Sequence, residues 1–113
     1  MTLEREWMRG AAPLAVLTLL GQREMYGYEL VEALERDSGG LLAMGQSTVY
    51  PLLYNLEGQG HVRAHWRSAP SGRRRKYYRI TPQGRRWLEA QRTQWETLVR
   101  AMGRLGVAGG GEA

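Results

Sequence analysis

The chain has 113 residues, which is the length of one domain with a modest apolar core. Its formal net charge of +5 favours a polyanionic partner. It contains no cysteine, which excludes disulfides, thiol catalysis and zinc sites built from thiolates. Every basic residue except Lys76 is arginine, which suits bidentate contacts to phosphate and guanine, although a coding bias towards arginine would produce the same excess.

The first part of the chain predicts helices. Residues 2–9 have a weakly helical pattern, and Pro13 predicts a break followed by a new helix, with a single helix kinked at Pro13 as the alternative. Residues 14–20 are apolar nearly all round, which predicts burial. This run is too short to span a bilayer and the N-terminus lacks an apolar signal core, so we expect a cytoplasmic protein without a membrane segment. A further helix is expected over residues 26–37.

Residues 45–60 carry the pattern around which the domain is organised. Val49 and the leucines at i+3, i+4 and i+7 form one apolar stripe of a helix. The short link from the preceding helix makes a helix-turn-helix, whose second helix enters the major groove of DNA. The residues predicted to contact DNA from this helix lie off the apolar stripe: Gln46, Ser47, Thr48, Tyr50, Pro51, Tyr54 and Asn55. An ordinary surface helix has similar residues, so this stretch alone leaves both interpretations open.

From residue 61 the apolar period changes from 3.6 to 2, which predicts a β-hairpin. One strand covers residues 61–67, a turn follows, and the return strand covers residues 73–80, with Tyr78 and Ile80 inward. The residues predicted to contact phosphate or the minor groove lie on the return strand: Arg73, Arg74, Arg75, Lys76 and Tyr77. A helix-turn-helix followed by a basic hairpin is a winged helix, whose wing lies along phosphates. A solvated hairpin tip is the alternative interpretation of the charge run.

Thr81 and Pro82 predict the start of a long helix that ends at Gly106. Positions 84, 88, 91, 95, 98, 102 and 105 recur at alternating intervals of four and three residues, with the small Gly84 and the polar Gln91 among them. The predicted dimer contacts are the large apolar members of this series: Leu88, Trp95, Leu98, Met102 and Leu105. At about 1.5 Å per residue the helix is roughly 35 Å long, more than this small domain needs, so we expect a homodimer, with a monomer as the alternative. The predicted fold is mainly α with a small β-hairpin (α+β). A winged helix-turn-helix occupies residues 1–80, a dimerisation helix residues 81–106 and a disordered tail residues 107–113.

Several segments together resemble the PadR family of bacterial transcriptional regulators: YGYEL at 26–30, STVYPLLYNLEGQGHV at 47–62, GRRRKYYRIT at 72–81 and the following Pro82-Gln83-Gly84. The single C-terminal helix is similar to the short, LmrR-like branch. The resemblance implies a dimeric repressor that binds a roughly palindromic double-stranded DNA operator. It also implies release by a small planar aromatic effector, with Trp95 at the place where that branch stacks its ligand between the subunits. Pro13 departs from the usual continuous first helix of the family.

Trp95 therefore has two interpretations. Large aromatic side chains fit poorly in the holes of a tight coiled coil, so Trp95 either belongs to the core or lines a ligand pocket. Gln91, one turn earlier, adds a hydrogen-bonding group, and Trp7 and Met8 would supply further walls. The spacing alone favours the core, and the resemblance adds weight to the pocket.

Other functions are ranked below operator binding. A nucleic-acid binder without operator specificity comes second, and a winged helix that binds only protein comes third because it needs no arginine-rich wing. An enzyme is least favoured, because the chain has no phosphate-binding glycine loop and no metal-ligand spacing. His61 and His65 lie roughly 13 Å apart along a strand, too far to share a metal ion, and no cofactor is expected.

Overall fold

The computed structural model describes residues 2–107, so residues 108–113 of the expected disordered tail lie outside the described range. Over that range the chain forms four helices and one three-stranded antiparallel sheet in the order β1-β3-β2. This is the α+β class that the sequence predicts. In chain order the elements are α1 (Arg5–Gln22), β1 (Met25–Tyr26), α2 (Gly27–Asp37), α3 (Gln46–Gly58), β2 (Val62–Ser68), β3 (Arg74–Ile80) and α4 (Pro82–Leu105).

Helix α1 is continuous through Pro13, so the predicted break there is wrong. A proline inside a helix removes one hydrogen bond and costs about 3 kcal/mol. The apolar side of the helix continues across this position, from Met8 and Ala12 before it to Val16 and Leu17 after it. Because all four side chains pack on the same core, their burial offsets the local cost.

The core lies between α1, α2, α3 and one face of the sheet. The predicted stripe of α3 supplies Val49, Leu53 and Leu56, all of which are buried, and the α2 side chains Leu30 and Leu34 pack into the same cluster. Gly60, two residues after the end of α3, has φ of 83°, a conformation that favours glycine. The turn lets the His61 amide donate to the Leu56 carbonyl, at 2.9 Å, and the chain enters β2 directly.

Strands β2 and β3 form the predicted hairpin, here called the wing, with a register that runs from Val62 opposite Ile80 to Ser68 opposite Arg74. Successive side chains alternate between two faces. We call the face with Val62 and Ile80 the inner face, because both side chains are buried against the core. The opposite face is called the outer face. Strand β1, which the sequence did not predict, pairs Met25 with Tyr78 on the far side of β3.

Helix α4 begins and ends as predicted. The Thr81 hydroxyl oxygen accepts a hydrogen bond from the Gly84 amide at 2.9 Å and donates one to the Gly60 carbonyl at 2.6 Å, which ties the helix start to the end of α3. A Cβ at Gly84 would overlap the His61 carbonyl, so glycine allows this close approach. Gly106 ends the helix with φ of 88°.

The two halves of α4 have different surroundings. Leu88 is 4% exposed and belongs to the core of its own chain, so its predicted place in a dimer interface is corrected. Trp95, Leu98 and Val99 are about half exposed, and Leu105 is more exposed still. The radius of gyration, 15.7 Å, exceeds the roughly 13 Å of a compact chain of this length, because the second half of α4 extends beyond the domain. No helix within the described range is long and apolar enough to cross a membrane.

Candidate nucleic-acid interface

Helix α3 presents a polar and aromatic surface on the side opposite its buried stripe. Tyr54 is 76% exposed, and Ser47 and Pro51 are exposed on the same side, roughly half a turn away from Val49 and Leu53. An exposed helix of this kind, anchored on its other side, has the dimensions to enter a major groove.

A groove of about 670 Å³ separates α3 from the wing and is lined by members of both predicted sets of DNA contacts. From α3 it is lined by Gln46 and Tyr50. From the wing it is lined by the predicted basic residues, Arg73, Arg74, Arg75 and Lys76. The aromatic and backbone walls come from the start of α2 and from the sheet: Tyr26, Gly27, Tyr28, Trp66 and Tyr78. The site therefore combines hydrogen-bonding groups, stacking surfaces and cations.

Gly27 fixes one side of this groove. It is the first residue of α2, and a Cβ there would overlap the ring of Tyr50. The missing side chain lets the Tyr50 ring lie directly against the α2 backbone. This contact sets the position of α3 relative to α2, which is the geometry that a helix-turn-helix must hold constant.

The basic side chains of the wing differ in their partners. Lys76 Nζ lies 4.0 Å from a Glu57 carboxylate oxygen, at the end of α3. The Arg74 guanidinium carbon lies 5.8 Å from the centre of the Trp66 ring, and no acidic residue within the described range forms an ion pair with Arg73 or Arg74. These two guanidinium groups are exposed and suited to phosphate contacts.

Tyr77 is more buried than the basic residues with which it was grouped. It is 7% exposed, and its ring makes an edge-to-face contact with Tyr26 at 5.5 Å between centroids. The Arg67 guanidinium carbon lies 3.9 Å from its ring centre on the outer face of the sheet. Strand alternation places Tyr77 on the outer face, away from its neighbours Lys76 and Tyr78, and the side chains of Tyr26 and Arg67 cover it there. Its predicted contact with DNA is therefore corrected.

Three further predicted residues of α3 line a second groove of about 560 Å³, between α3 and the start of α1. Thr48, Pro51 and Asn55 lie on its α3 side, and Met8 and Arg9 lie on its α1 side. The predicted contacts of α3 are thus divided among the two grooves and, for Ser47 and Tyr54, the exposed surface of the helix outside them. Met8 was predicted to line a ligand pocket with Trp95, and neither groove includes Trp95.

The other residues predicted for a ligand pocket lie on exposed helix surfaces. Trp95 is 50% exposed, Gln91 is half-buried one turn earlier, and Trp7 is largely exposed on α1. A single chain leaves the Trp95 ring half covered. A ligand pocket at this position therefore needs a wall from a second chain.

The two histidines have separate surroundings. His61 is buried and stacks on Trp87, with ring centroids 5.0 Å apart, and His65 Nε2 lies 3.4 Å from a Glu24 carboxylate oxygen. Among residues 2–107, no group of three or more histidine, aspartate or glutamate side chains lies close enough together to hold a metal ion.

Sequence reasoning missed the residues that the groove takes from α2 and β2. Gly27, Tyr28 and Trp66 line it beside Tyr50. The sequence offered only a weak indication of these residues: Tyr28 is an aromatic residue in the first turn of a helix, and Trp66 is one on a strand beside a charge run. Their common location depends on how α2 and the wing pack on α3, which no local pattern specifies.

Comparisons with known proteins agree with this geometry. The model of the transcriptional regulator PadR-like family matches residues 16–90. Transcriptional regulator Rv3488 of Mycobacterium tuberculosis is 34% identical over 109 residues, which cover 95% of this chain and 98% of that protein. The crystal structure of a PadR family transcriptional regulator from Eggerthella lenta is 38% identical, with a TM-score of 0.76 over 88% of this chain and 85% of that one. Bacillus subtilis PadR in complex with operator DNA shares the fold at 23% identity, with a TM-score of 0.65 over 72% of this chain and 47% of that one.

Proposed function

The chain belongs to the PadR-like family of transcriptional regulators, and we propose that it is a dimeric repressor that binds a specific double-stranded DNA operator through α3 and the wing. The observation that carries the proposal is the groove in which Gln46 and Tyr50 of α3 face the basic residues of the wing. Base edges would be read by α3, and phosphates would be held by the wing. The solved complex of Bacillus subtilis PadR with operator DNA supports a DNA partner for this fold.

The dimer part of the proposal rests on the second half of α4. We call its apolar face, formed by Trp95, Leu98, Val99, Met102 and Leu105, the seam. Its two leucines and Val99 are exposed, which leaves apolar area without a partner in the single chain. Pairing with the same face of a second chain around a two-fold axis would cover it. A two-fold dimer would also place two α3 helices against the two halves of a palindromic operator.

The effector part of the proposal rests on Trp95. With half of its ring exposed on the seam, Trp95 would lie near its counterpart in the dimer. A flat aromatic compound would stack between the two rings, since offset stacking favours such a partner. Binding would select one dimer geometry over the other and thereby weaken operator affinity.

Selection of bound duplexes from a random pool, followed by footprinting, tests the proposal. We expect an inverted repeat whose half-sites are centred about one helical turn apart, roughly 10 base pairs or a multiple of that distance. A pool that shows binding but no enriched motif would favour the second candidate, a winged helix that binds nucleic acid without operator specificity.

A further inference from the structure

The outer face of the wing carries arginines in directly opposed pairs. Arg63 lies opposite Arg79, and Arg67 lies opposite Arg75. Side chains in these positions of an antiparallel sheet are about 5 Å apart at Cβ, and like charges there destabilise the sheet. Two such pairs lower the stability of the wing, so stability alone does not account for them. The arrangement indicates that the outer face meets an anionic partner.

Little negative charge balances these four cations. A Glu24 carboxylate oxygen lies 2.7 Å from an Arg67 guanidinium nitrogen, as an ion pair, and 3.4 Å from His65 Nε2. No carboxylate within residues 2–107 forms an ion pair with Arg63, Arg75 or Arg79. The outer face therefore holds a net excess of positive charge.

The pair nearer the wing tip is held in place by aromatic rings. The Arg67 guanidinium carbon lies 3.9 Å from the Tyr77 ring centre, and that of Arg75 lies 4.3 Å from the Tyr26 ring centre. Such contacts fix the orientation of the guanidinium groups, so that less side-chain freedom is lost when they bind an anion. The other pair, Arg63 and Arg79, is exposed at the base of the wing.

Three of these four arginines lie on a surface distinct from the groove beside α3, and the fourth, Arg75, also lines the groove. Strand alternation directs Arg63, Arg67 and Arg79 away from the inner face, and none of the three lines the groove. The two pairs are four residues apart along the strands, or roughly 13 Å. Because Arg63, Arg67 and Arg79 lie on the face opposite the inner face and outside the groove, DNA that also contacts α3 would have to curve around the wing tip to reach them.

We propose that the outer face of the wing binds the phosphate backbone of DNA flanking the operator half-site, and that this DNA bends around the wing. The inference rests on the proposed operator binding. DNA fits better than an acidic protein segment because the basic surface continues past Arg75 to Arg73 and Arg74 at the tip of the wing, where Arg74 belongs to the inner face, so that one backbone can follow the basic surface around the tip. A duplex also supplies closely spaced charges, about one per 1.7 Å of its axis, over the length of the paired arginines.

The test compares a short duplex, limited to the footprinted operator, with one extended by about ten base pairs, roughly one helical turn, on each side. We expect wild type to bind the extended duplex more tightly, with a steeper dependence of log K on log salt. The double variant Arg63→Gln/Arg79→Gln should lose that gain and bind the short duplex as wild type does. A dimer would lose four phosphate contacts at about 0.9 each, so the salt slope on the extended duplex should fall by roughly 3 to 4.

A matched control keeps the net charge equal. Arg36→Gln/Arg92→Gln removes two exposed arginines from α2 and α4, outside the wing, and should retain the gain from the flanks. Equal binding of the two duplexes by wild type, or a gain retained by the Arg63/Arg79 variant, would overturn the inference. Failure of wild type to prefer the short operator over a scrambled duplex would instead contradict the proposed function, and the inference with it.

Discussion

The dimer proposal makes opposite predictions for two leucines of α4 that sequence spacing treats alike. Leu98 is 52% exposed and Leu88 is 4% exposed, although both belong to the same predicted series of apolar positions. Leu98→Ala should weaken the dimer and leave the fold of each chain intact. Leu88→Ala should leave a cavity in the core and destabilise each chain, by about 2–5 kcal/mol as is usual for such substitutions.

The exposed area sets the size of the Leu98 effect. Full burial of a leucine side chain contributes about 2 kcal/mol, and half of the Leu98 residue surface is left for a partner to cover, so each copy contributes about 1 kcal/mol. Two copies in a two-fold dimer lose about 2 kcal/mol, which raises the dimer dissociation constant about 30-fold. Leu98→Asp should raise it further, because an unpaired carboxylate would be buried at the interface.

Sedimentation equilibrium over a range of concentrations measures the dissociation constant, and thermal unfolding measures the stability of the chain. Thr97→Ala is the control, since Thr97 is exposed beside Leu98 and its hydroxyl donates to the Thr93 carbonyl of its own helix. A dissociation constant that does not change in either Leu98 variant would show that this face of α4 is not the interface. A wild-type protein that is monomeric at micromolar concentration and still binds the operator would also contradict the dimer proposal.

Three further predictions concern the groove and the effector. Arg74→Ala should weaken binding to all duplexes about equally and lower the salt slope by about one per lost phosphate contact, and an unchanged slope would exclude Arg74 as such a contact. Gly27→Ala should displace the Tyr50 ring and weaken operator binding in an electrophoretic mobility shift assay, whereas Gly58→Ala, where nothing lies within 4 Å of the new Cβ, should not. Planar aromatic dyes should quench the tryptophan fluorescence of wild type and lower its affinity for the operator. The Trp95→Ala variant should show neither effect. Equal quenching and equal loss of affinity in the two proteins would show that Trp95 is not the stacking surface.

The elements that the sequence predicts well are those with local causes. Thr81 caps α4 through its own hydroxyl, and the alternation of apolar residues from Val62 onwards depends on the strand period alone. The apolar stripe of α3 likewise follows from spacing, and its members Val49 and Leu53 are buried as expected. Such features need no knowledge of the rest of the chain.

The features that were missed depend on tertiary contacts. Strand β1 is two residues long and exists because Met25 and Tyr26 pair with β3. Continuity of α1 through Pro13 depends on a core that both halves of the helix share. Leu88 has the spacing of the seam residues, yet it is buried in the core of its own chain. Tyr77 lies within the basic run, yet strand alternation places it on the face opposite Arg74 and Lys76.

The ratio of affinities for a selected operator and for a scrambled duplex of equal length, measured at one salt concentration, tests the central claim most directly. Operator binding through α3 predicts a ratio of about 10³ or more for wild type. It also predicts a lower ratio for Tyr54→Ala and for Asn55→Ala, since a base contact contributes about 1–3 kcal/mol of discrimination. A ratio near one for wild type, or an unchanged ratio in both variants, would contradict sequence reading by this helix.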